Sequence, residues 1–126
     1  TAYVPVLNVA RENFRLRLES VYFLGTQGIG AGDLTFLSDL DLAALTPAAR
    51  GGGADASLAV TLVDHHVLSE AEAGLEPYVV RVLDHRPQDG PLPDSWTVTL
   101  EHVGSCCSLV ARELLASDSF ELEGDV

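Results

Sequence analysis

Two apolar, β-branched runs end in the same kind of polar cluster, and this repetition constrains the chain more than any other feature. Residues 58–63 read LAVTLV and are followed by Asp64, His65 and His66. Residues 79–83 read VVRVL and are followed by Asp84, His85 and Arg86. Twenty residues separate the two aspartates, which suits one crossover between neighbouring parallel strands. Both clusters are then expected at the same edge of the sheet.

Carboxylates and imidazoles held at rigid strand ends suit a metal site, because a carboxylate bridges two ions and a neutral imidazole binds one. A single Asp-His pair after a strand is more simply explained as a helix cap beside a surface histidine. Two such pairs at matched positions, one crossover apart, are harder to explain by capping. The pattern therefore favours a metal site over two unrelated caps.

Strands and helices alternate along the rest of the chain. Continuous apolar character in the two central runs indicates a buried parallel sheet. The fold class predicted is α/β, a Rossmann-like, mostly parallel sheet flanked by helices, with ligands bound beyond the carboxyl ends of the strands. The remaining elements predicted are strands at 3–9, 34–37 and 96–103, and helices at 18–24, after Ser69 and after Ser105.

Charge excludes several classes of partner. The formal charge is −12, from 19 acidic residues against seven basic ones, all of them arginine. No basic stripe is present, which argues against nucleic acid and anionic membranes as partners. An anionic substrate would need a local positive field, and divalent metal ions commonly supply one.

The sequence also bears on location and completeness. No run approaches the ~18 apolar residues of a membrane span, and no basic-then-apolar leader is visible. The two cysteines are adjacent and match no zinc motif, so a reducing, cytoplasmic location is expected. The chain has no methionine and begins on TAYVPVLNV, so we expect a piece of a longer protein.

LVDHH, VLDHRP and EHVGSCCSLV, in this order, closely resemble the DHH phosphoesterase superfamily, and within it the prune-type exopolyphosphatases. The resemblance runs from PVLNV through FLSDLDL to GSCCSLVARELL, nearly the whole chain. Pyrophosphatases and many other members have a second histidine where this chain has Arg86. That arginine favours the prune-type branch.

The resemblance implies hydrolysis assisted by two divalent ions, Mn²⁺, Mg²⁺ or Co²⁺, that activate a bridging water. Asp64 would bridge both ions and His85 would bind one of them. Asp84 would support the site from behind, by orienting the imidazole or the strand end.

The resemblance also implies roles beside the metals. His65 and His66 follow the bridging aspartate and would belong to the catalytic cluster, through support of the ligands or contact with phosphate. Arg86 would offer its planar guanidinium to phosphate oxygens.

Several parts of the family pattern are missing from residues 1–126, which we expect to be a partial DHH domain. These are an Asp-x-Asp motif on an earlier strand, a later aspartate and a smaller carboxy-terminal domain. The function predicted is phosphate release from short inorganic polyphosphate or another small phosphorylated substrate. The alternatives are a catalytically silent homologue or isoform that binds protein partners, and a pyrophosphatase or cyclic-nucleotide phosphodiesterase of the same superfamily.

Overall fold

The computed structural model describes residues 3–45 and 58–117. The chain divides into two compact units, Thr1–Leu45 and Thr46–Val126. The fold is mixed α/β, with small parallel sheets and flanking helices, which confirms the predicted fold class. Among the described residues, no helix is long and apolar enough to cross a membrane.

The first unit is built on a short parallel pair of strands, β1 (Val6–Leu7) and β2 (Thr35–Phe36). Its helices are α1 (Arg11–Phe14), α2 (Leu18–Thr26) and α3 (Leu42–Leu45), with 3₁₀ turns at Ala31–Asp33 and Leu37–Asp39.

An aromatic pair and one arginine hold the first unit together. The rings of Phe14 and Phe36 are both buried and meet edge to face with centroids 5.2 Å apart. Arg11 places its guanidinium 4.4 Å from the centroid of Phe36 and donates two hydrogen bonds to the carboxylate of Asp39. Arg11 therefore joins the start of α1 to the turn after β2.

The strand predicted at 3–9 is mostly wrong, since only Val6–Leu7 forms a strand. Pro5 has no N–H to give to a neighbouring strand. After Leu7 the chain turns, and the N–H of Val9 donates to the carbonyl of Leu7 at 2.8 Å. The helix predicted at 18–24 is confirmed as α2, and the strand at 34–37 as β2.

The second unit contains a three-stranded parallel sheet in the order β3-β4-β5. The strands are β3 (Val60–Val63), β4 (Val79–Asp84) and β5 (Thr97–Leu100). The strand predicted at 96–103 is therefore shorter. Val63 pairs with Leu83, and Asp84 pairs with Leu100, so the three carboxyl ends are level.

Helical segments follow two of these strands. Residues Glu70–Tyr78 form a 3₁₀ helix between β3 and β4, and α4 (Cys106–Leu115) follows β5. Ser105 caps α4 as predicted, its hydroxyl accepting from the N–H of Cys107 at 3.2 Å. Ser69 lies at the N-cap of its segment as predicted, and both its N–H and its hydroxyl donate to the carboxylate of Glu72.

Two apolar clusters lie on the sheet, because the neighbouring residues Val82 and Leu83 point to opposite faces. Leu62, Val79 and Val82 form one cluster, with Leu68 and Trp96 packed against it. Leu83, Cys106 and Leu109 form the other, which packs α4 on the end of β4. The end of the central strand β4, where its polar cluster begins, is thus packed against α4.

Burial of the two apolar runs is less uniform than the sequence predicts. β4 has four buried residues of six, whereas β3 alternates and leaves Thr61 and Val63 exposed. The reason lies in the sheet order, since β3 is an edge strand of this sheet and β4 has a neighbour on each side.

Candidate metal centre

The parallel register brings the two polar clusters to the same edge of the sheet. Asp64 directly follows β3, and Asp84 is the last residue of β4. Ligand atoms of Asp64, Asp84 and His85 lie within 4.8 Å of one another. The two clusters therefore lie together, as the sequence predicts. Their side chains differ in burial, in hydrogen-bond partners and in how accessible their ligand atoms are to a metal ion.

Asp64 has an unusual backbone conformation, with a φ of 65° in the left-handed region. Non-glycine residues seldom adopt this region, although aspartate tolerates it better than most. The N–H of Asp64 donates to the carbonyl of Leu83 at 2.9 Å, so the end of β3 stays attached to β4 as the chain turns. The carboxylate remains exposed on the turn, available to a ligand.

His85 faces Asp64 with a defined nitrogen. Its Nδ1 lies 3.0 Å from the carbonyl oxygen of Val103, a pure acceptor, so Nδ1 must carry a proton. Its Nε2 lies 3.2 Å from Oδ1 of Asp64. In the neutral ring Nε2 is an acceptor, so two lone pairs face each other and require a positive charge between them, either a proton or a metal ion. A histidine oriented through Nδ1 to a carbonyl is typical of metal ligation through Nε2.

Asp84 is fully buried, and both of its oxygens already accept hydrogen bonds. Oδ1 accepts from the N–H groups of His85 at 2.7 Å and Arg86 at 3.2 Å, and Oδ2 lies 2.6 Å from Nδ1 of His66. Burial by itself raises the pKa of Asp84, but the hydrogen bonds from His66, His85 and Arg86 outweigh it and lower the pKa. Asp84 is therefore an ionised support and offers little of its surface to a metal.

The two histidines after Asp64 have different surroundings. His66 is buried, with Nδ1 on Asp84 and Nε2 accepting from the N–H of Asp89 at 2.9 Å. His65 is half-buried, and its Nδ1 lies 3.1 Å from the carbonyl oxygen of Val63. Within the described part of the chain, Nε2 of His65 is buried and has no hydrogen-bond partner.

Arg86 lies at the exposed side of the site. One of its terminal nitrogens is 3.5 Å from Oδ2 of Asp64, and 58% of its side chain is exposed. The guanidinium is thus accessible to an anion beside the candidate ligand carboxylate. Beside it lies a cavity of about 450 Å³ whose lining comes from both clusters and the loop after β4: His65, His66, Val67, Asp84, Arg86, Pro87 and Asp89.

Sequence reasoning missed two backbone groups that define the site. The carbonyl of Val103 orients His85, and the N–H of Asp89 binds His66. Any residue type supplies such groups, so no side-chain pattern identifies them. The only available signal is that β5 and the loop after β4 must return to the same sheet edge.

Comparison with known proteins supports the relationship predicted from these clusters. Bovine (Bos taurus) exopolyphosphatase PRUNE1 is 42% identical over 113 residues, which cover 90% of this chain and 23% of that protein. Human (Homo sapiens) exopolyphosphatase PRUNE1 is 40% identical over the same shares of the two chains. A putative exopolyphosphatase of Schizosaccharomyces pombe is 30% identical over 112 residues, 86% of this chain and 27% of that protein.

The chain is homologous to the PRUNE1 exopolyphosphatases, which confirms the resemblance to prune-type proteins. It spans about a quarter of the length of the curated relatives it matches. No protein-family model matches the chain.

Proposed function

We propose that this chain forms part of the catalytic domain of a metal-dependent phosphohydrolase that releases phosphate from short-chain polyphosphate. Asp64 and His85 are the residues proposed to hold metal, and in the complete site the carboxylate of Asp64 would serve both ions. Arg86 is the proposed contact to substrate phosphate. His65 and His66 are proposed to complete the cluster around Asp64, through support of the ligands or contact with phosphate.

The single observation that carries the proposal is the approach of His85 to Asp64. Oδ1 of Asp64 and Nε2 of His85 lie 3.2 Å apart, while Nδ1 of the same ring is committed to the Val103 carbonyl. This arrangement leaves one imidazole lone pair and one carboxylate directed at a shared point. The donor set, one nitrogen and a carboxylate, is compatible with Mn²⁺ or Mg²⁺.

A divalent ion bound there would neutralise phosphate charge and lower the pKa of a coordinated water. The chain's own residues would do the rest. Asp84 and the Val103 carbonyl hold His85 in its ligating orientation, and Arg86 contributes a fixed positive charge for phosphate oxygens. Further ligands are needed for two ions, and we propose that the longer protein supplies them.

Polyphosphate is proposed as substrate because the homologous proteins are named exopolyphosphatases. The −12 charge of the chain makes attraction of a polyanion dependent on bound metal and Arg86. A cytoplasmic location remains our proposal from the adjacent, unpaired cysteines. The competing candidate is a catalytically silent homologue that binds protein partners.

The test measures Mn²⁺-dependent phosphate release by the full-length protein that contains this chain. Tripolyphosphate, pyrophosphate and a cyclic nucleotide are assayed in parallel. We expect tripolyphosphate to be preferred. Preference for either other substrate would move the protein to another branch of the superfamily, and no release from any of them would favour the protein-binding candidate.

The matched variants are Asp64→Asn and Asp94→Asn, each of which removes one carboxylate charge. Asp94 is exposed in the loop before β5, away from the candidate ligands. We expect Asp64→Asn to lose about 100-fold or more of kcat, because metal stabilisation of the transition state amounts to several kcal/mol. Asp94→Asn should retain wild-type turnover. Near-normal turnover of Asp64→Asn at saturating Mn²⁺ would overturn the assignment.

A further inference from the structure

We infer that His66 is a positioning residue that holds His85 and Arg86 in place through Asp84, and does not itself touch metal or substrate. The inference deepens the proposed function and rests on it for the roles of His85 and Arg86. His66 is one of three buried polar residues among those the structure describes, and it contacts both ends of segment 84–89.

The hydrogen bonds of His66 define its protonation. Nε2 accepts from the backbone N–H of Asp89 at 2.9 Å, so this nitrogen carries no proton. Nδ1 lies 2.6 Å from Oδ2 of Asp84 and must be the donor in that contact. Both ring nitrogens are therefore used, and the imidazole has no lone pair left for a metal ion.

Asp84 connects His66 to the next two residues through hydrogen bonds. Its other oxygen, Oδ1, accepts from the N–H groups of His85 and Arg86. If His66 could no longer donate to Oδ2, the fully buried carboxylate would lose a strong hydrogen bond in a place without solvent. The carboxylate would then turn toward other donors, and its hold on both amides would change.

The same histidine also fixes the far end of the turn. Residues 84–89 leave β4 and return to His66, so one imidazole binds the first residue of this segment through Nδ1 and the last through Nε2. His85 and Arg86 lie between these two attachment points. The distances from Asp64 to His85 and Arg86, 3.2 and 3.5 Å, depend on that segment keeping its path.

Two isosteric variants in the full-length protein each remove one of the two hydrogen bonds of His66. His66→Asn keeps a donor at the position of Nδ1, and can therefore still serve Asp84. His66→Gln keeps an acceptor near the position of Nε2, and can therefore still serve the Asp89 N–H while losing the bond to Asp84. The control is His102→Gln, because His102 is exposed beyond β5.

Two readouts are measured at a temperature where every variant is folded by circular dichroism. The first is steady-state phosphate release at saturating Mn²⁺, which gives kcat and KM. The second is hydrogen–deuterium exchange of segment 84–90, which needs no activity.

We expect His66→Gln to lower kcat by about 10- to 100-fold, the scale for residues that orient metal ligands, and to speed exchange of segment 84–90. His66→Asn should keep kcat within about threefold of wild type and speed exchange only near Asp89, whose N–H loses its acceptor, and His102→Gln should match wild type. A purely structural role would lower the melting temperature of both variants without separating their kcat values at a temperature where both are folded.

Wild-type exchange in folded His66→Gln, or an equal loss of kcat in His66→Asn and His66→Gln, would overturn the inference. If the wild-type protein releases no phosphate from any substrate, the proposed function fails and the exchange data alone decide the role of His66. If His66→Gln does not fold, His66→Asn decides, since a large loss of kcat with the Asp84 bond retained would contradict the inference.

Discussion

Asp64 has two neighbours that contribute differently to the proposed chemistry. His85 presents an imidazole nitrogen at 3.2 Å, and Arg86 presents a guanidinium at 3.5 Å. The imidazole has a lone pair and can share a metal with the carboxylate. The guanidinium has none, stays protonated at any working pH, and can only donate to anionic oxygens. We therefore propose that Arg86 contacts the substrate and not the metal.

Replacement of Arg86 distinguishes its contribution to substrate turnover from any contribution to metal binding. We expect Arg86→Ala in the full-length protein to lower kcat/KM on tripolyphosphate, with a loss of transition-state stabilisation of ~1.5 to 3 kcal/mol, the scale of a charged hydrogen bond. The affinity for Mn²⁺ should stay nearly unchanged. Arg86→Lys, which keeps the charge but loses the planar fork, should fall between wild type and Arg86→Ala. Phosphate release and calorimetric Mn²⁺ titration on the same samples provide the two measurements.

A structural role for Arg86 would give a different pattern. If the arginine only stabilised the turn after β4, Arg86→Ala would lower the melting temperature and leave kcat/KM intact. An ion pair with Asp89 in that loop would be the simplest such role. Among the described residues the ion-pair partner of Arg86 is instead Asp64, and the N–H of Asp89 is bound to His66.

Side-chain identity predicted the candidate site better than it predicted the bonding around it. Asp64, Asp84 and His85 could be chosen from the sequence because their residue types and spacing are unusual together. The buried position of His66 could not, because His65 and His66 are adjacent and chemically identical in the sequence. Their burial differs because of the backbone turn at Asp64, whose φ of 65° no sequence pattern announces.

At the scale of elements, the sheet edge is tied to α4 by a pair of parallel hydrogen bonds. Arg112 in α4 donates from both terminal nitrogens to the carboxylate of Glu101, at 2.9 and 2.6 Å. Glu101 directly follows β5 and lies two residues before Val103, whose carbonyl orients His85. The pair thus stabilises the segment that leads into the site.

This pair predicts a specific dependence of stability on pH. The hydrogen bond from Arg112 is the main cause that lowers the pKa of Glu101 below its ordinary 4.5, against a smaller opposing effect of burial. A lowered pKa in the folded state means that the stabilisation is present above the unfolded pKa and is lost as pH falls through the folded one. We expect Glu101→Gln to be less stable than wild type at pH 7, with the difference shrinking as pH falls from about 4.5 toward the lowered pKa of Glu101 in the folded state.

Trp96 provides the signal for this measurement, because it is the only tryptophan and packs beside the sheet. Urea midpoints of the 126-residue chain are compared between pH 7 and pH 3 at low salt. Glu76→Gln, at an exposed glutamate of the 3₁₀ segment, controls for the general loss of a negative charge. A constant difference between Glu101→Gln and wild type across this range would contradict the assignment.

Elements whose capping residue and apolar pattern indicate the same structure were predicted well from the sequence. Elements in which glycine or proline opposes those features were predicted less well. Ser105 before an apolar helical face fixed the start of α4 correctly. The segment after Ser69 carries acidic first-turn residues but also Gly74 and Pro77, and it forms a 3₁₀ helix. Gly74 and Pro77 disfavour an α-helix here, and the segment forms the tighter 3₁₀ helix instead.

At the scale of the whole molecule, the ligand set is smaller than a dinuclear site needs. The acid and histidine group found among the described residues comprises Asp64, Asp84 and His85, and the oxygens of Asp84 are already committed. Two residues then remain to bind metal directly. The chain spans about a quarter of the length of its curated relatives, and we propose that the further ligands lie outside the matched region.

The isolated 126-residue chain should therefore bind Mn²⁺ weakly and release no phosphate from tripolyphosphate. Manganese and magnesium ions take about six ligands, and one carboxylate with one imidazole leaves most positions to water, which gives little selectivity or affinity. Calorimetric titration should show no tight two-ion binding in the chain, whereas the full-length protein should bind two ions and lose that binding with Asp64→Asn. Circular dichroism must first show that the isolated chain is folded, so that weak binding reflects missing ligands and not lost structure. Robust turnover by the folded chain alone would place the reaction at a site other than Asp64 and His85.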